Sequence, residues 1–334
     1  MKQLEGKRIL VTGATGLIGK ALIFEILAYN ERAEQPVTIM ALCRSRQKAE
    51  DVFGEALQEK KLELLIGDVR RIEPRDAGIH YIVHGASGTS SRAFVEQPVE
   101  IIQTALEGTQ NLLELARVNP VEGFVYLSSM EIYGAPATDE KIREDHGTDL
   151  DPMSVRSSYP VSKRMCENLC ASYASEYGVP AKVIRLTQTF GPGVKYDDGR
   201  VFAEFARCVI EGRDIVLHTK GETKRSYLAL EDAVQAVLTV LLKGNTGEAY
   251  NAANEETYCS ILEMAERVAA LDPAGRVGVQ IKEEDGAAHG YAPVLHMNLD
   301  TEKLRSLGWR AGTGLEEMYQ SMIKDMRKQN MQKE

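Results

Sequence analysis

No apolar run in this 334-residue sequence approaches the roughly 18 residues that a membrane-spanning helix needs. The N-terminal "MKQLEGKRIL" has no apolar stretch ahead of a small-residue cleavage site, so no signal peptide is read there and a cytoplasmic location is expected. Basic charge is in short supply. Forty Lys and Arg stand against 49 Asp and Glu, a net −9 that would repel nucleic-acid phosphates. The five cysteines are scattered without a CxxC, which favours buried reduced thiols over a metal site or disulfides. The six histidines show no HExxH or comparable spacing, and no metal is expected. Internal repeats and low-complexity linkers are missing as well. With 43% hydrophobic and 27% charged residues, the composition is that of a soluble globular protein with a substantial core.

The first two-thirds alternates short β-branched runs with longer amphipathic ones. "RILVT" (8–12) precedes "LIGKALIFEILAYN", and "VTIMALC" (37–43) precedes "QKAEDVFGEALQE". "LELLIGD", "IHYIVHGA", a helical stretch around 98–118, "GFVYLSS" (123–129), a helix near 159–177 and "AKVIRLT" (181–187) follow. Near-continuous apolar strands separated by helices predict an α/β fold, a doubly wound Rossmann-type parallel sheet covered on both faces. After about residue 190 the pattern breaks into Gly/Pro-rich "FGPGVKYDDGR" and mixed short elements. The expectation is a nucleotide-binding domain over 1–190 and a smaller C-terminal substrate-binding lobe over 191–334, interleaved with it. That lobe would cover the carboxyl edge of the sheet, where such folds bind ligands.

"VTGATGLIG" sets Gly13, Gly16 and Gly19 between the first strand and a helix. Glycines there allow a tight turn and close approach of a pyrophosphate, which the helix N-terminus then stabilises through its free N–H groups. The spacing is GxxGxxG rather than GxGxxG. At the end of the second strand an acid is usual for the ribose hydroxyls, but Cys43 occupies that place, followed by Arg44 and Arg46. Arginines suit a 2′-phosphate, which favours NADP. Asp68, ending the third strand, is placed either to hydrogen-bond an adenine or to cap a turn.

"SSYPVSK" supplies Tyr159 and Lys163, four apart and so on one helical face. A cation beside a phenol favours the phenolate and would make Tyr159 a usable base. The helix follows the strand ending in Ser128 and Ser129, at the same sheet edge as the glycine loop.

TGxxGxxG, a serine-rich strand end before "YG", and YxxxK together resemble the extended short-chain dehydrogenase/reductases, the NAD(P)-dependent epimerase/dehydratases of nucleotide sugars. "RLTQTFGPG", "RSYLALEDAVQAV", "EAYNAAN" and "LDTEKLRSLGW" carry the likeness over nearly the whole chain. "SSMEIYG", "SVRSSYPVSKRMCE" and "KRSYLALED" are most similar to the UDP-glucuronate decarboxylase branch.

The resemblance implies that Ser129 hydrogen-bonds the sugar 4-oxygen and Tyr159 takes its proton. It further implies that Lys163 holds the nicotinamide ribose, Glu131 moves a proton at C5 and Arg225 binds the substrate diphosphate. It extends the cofactor set to Thr15, Leu17, Ile18, Val69, Ala86 and Ser87, and the substrate set to Gln188 and Arg200. A homodimer through the helices near 98–118 and 159–177 is also implied. The sequence departs from the branch in Gln188, which replaces a usual Asn, in "SGTSSRAF" where a proline-rich loop is usual, and in "PVS" between Tyr159 and Lys163. The branch's second-strand acid is missing too, and the branch itself implies NAD rather than NADP.

All these enzymes begin by oxidising C4 of the sugar. A carboxylate on C5 then makes a β-keto acid that loses carbon dioxide. Dehydration needs a general acid where this chain has Met130, so decarboxylation is the leading expectation, with Glu131 still available for proton transfer. A 4-epimerase or 4-keto reductase is the alternative, and a non-catalytic NAD(P)-binding sensor or scaffold is the rival of another class.

Overall fold

In the computed structural model, residues 1–59, 61–72, 78–88, 91–283 and 294–331 are described. Thr89 and Ser90 of "SGTSSRAF" lie outside them. The chain opens with β1 (Arg8–Thr12), α1 (Leu17–Asn30), β2 (Thr38–Cys43), α2 (Arg46–Gln58), β3 (Glu63–Ile66) and β4 (Tyr81–His84). It continues through α3 (Ser91–Glu96), α4 (Pro98–Val118), β5 (Gly123–Ser129), α5 (Ser158–Tyr177), β6 (Ala181–Leu186) and β7 (Gln188–Phe190). Then come α6 (Val201–Glu211), β8 (Ile215–Leu217), β9 (Lys224–Ala229), α7 (Leu230–Lys243), β10 (Ala249–Ala252) and β11 (Asn254–Ser260). The described chain closes with α8 (Ile261–Ala269), β12 (Val279–Ile281), β13 (His296–Met297), α9 (Glu302–Ser306) and α10 (Leu315–Met331).

Seven strands in the order β10-β6-β5-β4-β1-β2-β3 form one sheet, parallel in every pairing. This is the doubly wound sheet expected from the alternation of runs. The apolar strands read as continuous because both faces are covered. On one face α1 and α7 bury Leu22, Ile23, Ile26, Val237 and Leu241, and on the other α4 and α5 bury Leu112, Leu113, Cys166 and Tyr173. Strand order reverses between β1 and β4, and the crevice beyond their carboxyl ends is where such a sheet accepts ligands. All five cysteines are buried and unpaired. Among the described residues no helix is long and apolar enough to cross a membrane.

The chain beyond residue 190 goes to two places. α7 and β10 join the large sheet and its cover, where Leu304 and Trp309 also pack. β9 collects β7, β11 and β13 into a small mixed sheet, and a second apolar cluster under α6, α8 and α10 contains Phe202, Phe205, Met264 and Met322. α8 starts in a capping box: the Ser260 hydroxyl accepts from the Glu263 N–H at 3.0 Å while the Glu263 carboxylate accepts from the Ser260 N–H. β7 carries Gln188 and β9 carries Arg225, so this small sheet hangs directly over the edge where β5 and β6 end.

Candidate active site

The loop after β1 is tight because it has to be. Gly13 has φ +67°, and a Cβ there would stand 2.4 Å from the Gly85 carbonyl oxygen. A Cβ on Gly19 would meet the Gly13 oxygen at 2.4 Å, so the helix start is pressed against the loop. Gly16 is the N-cap of α1 and supplies no side-chain acceptor, which leaves the first-turn N–H groups of Leu17 and Ile18 for an outside anion. Thr15 is half-buried beside them. Across the crevice the Ala86 N–H donates to Thr12 Oγ1 at 3.2 Å, and the Ser87 hydroxyl donates to the Gly88 carbonyl. A cradle that side chains would fill, at an uncapped helix start on the switch point, fits a dinucleotide pyrophosphate.

Around it, Cys43 is buried at the end of β2 and Arg44 is exposed. Asp68 caps a short turn over Val69–Arg71 and forms an ion pair with Arg70 at 2.7 Å, which with the Arg44 charge holds its carboxyl below the ordinary range. The turn role is therefore the one the geometry displays. Val69 is buried against Gly108 of α4.

Ser129, ending β5, accepts from the Glu131 N–H at 3.2 Å and so caps the turn Met130–Tyr133. Tyr159 lies in the first turn of α5, buried and stacked on Phe94 with ring centroids 4.3 Å apart. Burial, reinforced by the Glu131 charge, pushes the Tyr159 phenol above its ordinary value, while a hydrogen bond with Ser129 and the Arg156 charge pull the other way. Spacing alone predicted that Lys163 would make this phenol acidic. In the structure the Lys163 ammonium instead donates to the Leu127 carbonyl at 2.6 Å and lies 5.6 Å from the Tyr159 ring centroid, and burial is the largest influence on the phenol. Burial lowers Lys163 itself to about 8.

Glu131 is half-buried and paired with Arg156 at 3.2 Å. Met130 turns the other way, into an apolar cluster with Ile132, Ile142, Met297 and Leu299, its sulfur accepting from the Thr187 hydroxyl. No proton donor occupies that slot. On the overhanging sheet, Arg225 Nη1 donates to Gln188 Oε1 at 3.1 Å, and its buried Nε has no partner, a donor left for an anion. Arg200, just before α6, donates from Nε and Nη2 to the Asp198 carboxylate.

Sequence reasoning missed Phe94, Arg156 and His84. Nothing in "SRAF" marks a ring that will stack on Tyr159, and Arg156 reads as an ordinary loop cation. His84 is wholly buried, bridging Thr12 at 2.8 Å and Thr109 at 3.1 Å, and burial lowers it to about 3. The unfolded chain takes up a proton near pH 6.5 that the folded chain refuses until about pH 3, so stability is lost as pH falls through that window. This linkage removes about 2 kcal/mol by pH 5. Denaturant midpoints at pH 7 and 5 should therefore differ less in His84→Gln than in the parent, and equal differences would refute the assignment.

A doubly wound sheet with a glycine cradle at its switch point is the architecture of an NAD(P)-dependent enzyme. The chain belongs to the NAD dependent epimerase/dehydratase family, whose sequence model matches residues 9–253. It is 27% identical over 330 residues to UDP-glucuronic acid decarboxylase 1 of Xenopus tropicalis, covering 98% of this chain and 74% of that protein. UDP-glucuronic acid decarboxylase 6 of Arabidopsis thaliana is 30% identical over 264 residues, 79% of this chain and 74% of its own. Among solved structures, UDP-glucose 4-epimerase of Thermotoga maritima superposes with a TM-score of 0.81 at 20% identity, covering 97% of this chain and 99% of that one.

Proposed function

We propose that the protein oxidises C4 of a nucleotide-linked uronic acid and removes its carboxyl group, with UDP-glucuronate as the leading substrate and NAD as the resident cofactor. The observation that carries this reading is the strand end after β5. Ser129 and Glu131 face the Tyr159 region, while the position between them holds Met130, buried and without a proton to give. Elimination of a hydroxyl from C6 needs an acid there, and loss of carbon dioxide does not. The similarity to UDP-glucuronic acid decarboxylases along nearly the whole chain supports the same choice.

Bound NAD supplies a reversible two-electron oxidant for C4. Gly13, Gly16, Gly19 and the first turn of α1 hold its pyrophosphate, and Lys163 its nicotinamide ribose. Arg44 beside Asp68 makes the second-strand end a mixed-charge surface rather than a purely cationic one, which suits a ribose diol better than a 2′-phosphate. Ser129 and Tyr159 hold the C4 hydroxyl between them, and Tyr159 takes its proton as the ketone forms. The 4-keto acid would then break its C5–C6 bond, the electron pair moving into the enolate and C5 gaining a proton; return of the hydride to C4, with Tyr159 giving back its proton, would leave a UDP-pentose and the cofactor in its starting state. Glu131, half-buried and open to water, passes the C5 proton. Arg225 binds the diphosphate through the fork that Gln188 orients, with Gln188 lining the same wall. Arg200, at the start of α6, would supply a further cation to the substrate diphosphate or nucleotide.

Incubation with UDP-, dTDP-, GDP- and CDP-sugars, read by product mass, tests the reading. Loss of carbon dioxide from a uronate is the expected result. Loss of water, an unchanged mass with altered stereochemistry, or gain of two hydrogens would replace it with a dehydratase, an epimerase or a reductase.

A homodimer through α4 and α5 is part of the proposal. Val99 and Ile102 on α4 and Met165 on α5 are exposed apolar side chains on two helices that pack together. A monomer mass in sedimentation at micromolar protein would remove it.

A further inference from the structure

The segment that carries Ser129 and Glu131 is gripped at both ends by a single buried ion pair that takes no part in the chemistry above. Arg185 on β6 is the register partner of Ser128 on β5. Glu167 on α5 reaches between them. The Ser128 hydroxyl donates to Glu167 Oε1 at 2.5 Å, and Arg185 donates to the same carboxylate from Nε at 3.1 Å and from Nη2 at 2.7 Å. Both charged side chains are nearly buried, 11% and 12% exposed. The remaining Arg185 nitrogen turns to the far end of the segment, donating to the Tyr133 hydroxyl at 2.8 Å and to the Glu144 carbonyl at 2.7 Å. Tyr133 in turn donates to Asn251 Oδ1 at 2.7 Å, which ties the same point to β10.

Glu167 stands four residues after Lys163 and eight after Tyr159, so all three project from one face of α5. Lys163 holds the Leu127 carbonyl and Glu167 holds the next residue's hydroxyl. α5 therefore grips two successive residues of β5 just before Ser129. A helix-to-strand contact of this kind fixes how far Ser129 and Glu131 stand from Tyr159. A pair this nearly buried is not needed for stability, since apolar residues of similar volume serve that purpose as well or better.

We propose that the Glu167–Arg185 pair is a positioning device, clamping residues 128–133 so that Ser129 and Glu131 meet the sugar at the distance Tyr159 and Lys163 require. The inference rests on the proposed C4 oxidation for its kinetic part, and has a substrate-free part as well.

The decisive variant is Glu167→Leu/Arg185→Met, which removes both charges together and leaves neither one buried alone. The thermal midpoint should stay within about 5 °C of the parent, because the core remains filled. The KM for the nucleotide sugar should stay within about threefold, since Arg225 is untouched, while kcat falls about 10²-fold from displaced reacting groups. Amide exchange of residues 128–133, read in cofactor-bound protein without substrate, should quicken about tenfold while the rest of the sheet is unchanged. A kcat within about threefold of the parent, or unaltered exchange at 128–133, would overturn the proposal.

Should the double variant not fold, Ser128→Ala/Tyr133→Phe decides in the same way, because it cuts both grips and leaves the ion pair whole. Should the parent turn over no nucleotide sugar, the functional reading fails, and the exchange result still settles whether the clamp exists.

Discussion

Tyr159→Phe is expected to lower kcat by about 10³-fold, as loss of a positioned acid–base group does, with little change in KM or stability. The proton state of the phenol is set by burial and by three neighbouring side chains. Burial and Glu131 hold it protonated, and Ser129 and Arg156 oppose them. In the proposed oxidation this phenol must ionise before it can take the C4 proton, and positive charge brought beside it would favour that ionisation. The ring itself is retained in the variant, with its 4.3 Å stack on Phe94, so folding loses at most about 1 kcal/mol. Steady-state kinetics with a thermal melt separates these outcomes. Turnover equal to the parent would remove Tyr159 from the chemistry.

Lys163→Met should abolish measurable turnover and make the protein more stable at the same time. The ammonium is buried to 3% exposure, with the Leu127 carbonyl as its hydrogen-bond acceptor, and burial lowers it to about 8 from 10.5. Between those values the folded chain binds fewer protons than the unfolded chain, so stability rises with pH across that window and is at its poorest below pH 8. The cost of the buried charge there is about 3 kcal/mol. Methionine fills the same volume without charge but leaves the Leu127 carbonyl short of a donor, so a net gain of about 1–3 kcal/mol at pH 7 is expected. The rise of stability from pH 8 to 10.5 should also vanish in the variant. A lower melting point at pH 7 would show that Lys163 is a structural residue, whereas a higher one marks stability given up for function.

Much of this was legible in the sequence because it depends on period and spacing. Strands that must be apolar on both faces write continuous runs, and the bounds of β1, α1, α4 and β5 coincide with the runs quoted for them. GxxGxxG is readable because only glycine fits where a Cβ would strike the Gly85 or Gly13 oxygen. Contacts between residues distant in the chain left no such trace. Arg185 and Glu167 look like an ordinary strand arginine and helix glutamate until β5, β6 and α5 are brought together. The return of α7 and β10 to the large sheet is equally silent, because an amphipathic helix and a short strand read alike in either lobe. The surroundings of Tyr159 differ from what spacing suggests for a related reason. Spacing places Lys163 on the same face, but it cannot tell that the ammonium will turn to a backbone carbonyl or how deeply the phenol will be buried.

The most direct test of the whole account is the fate of the C6 carboxyl. Purified protein loaded with NAD is incubated with UDP-glucuronate carrying carbon-13 at C6, and the product and headspace are read by mass spectrometry. Labelled carbon dioxide together with an unlabelled UDP-pentose is the predicted result. A labelled UDP-hexuronate of unchanged mass, with turnover shown by a new C4 configuration, would contradict it.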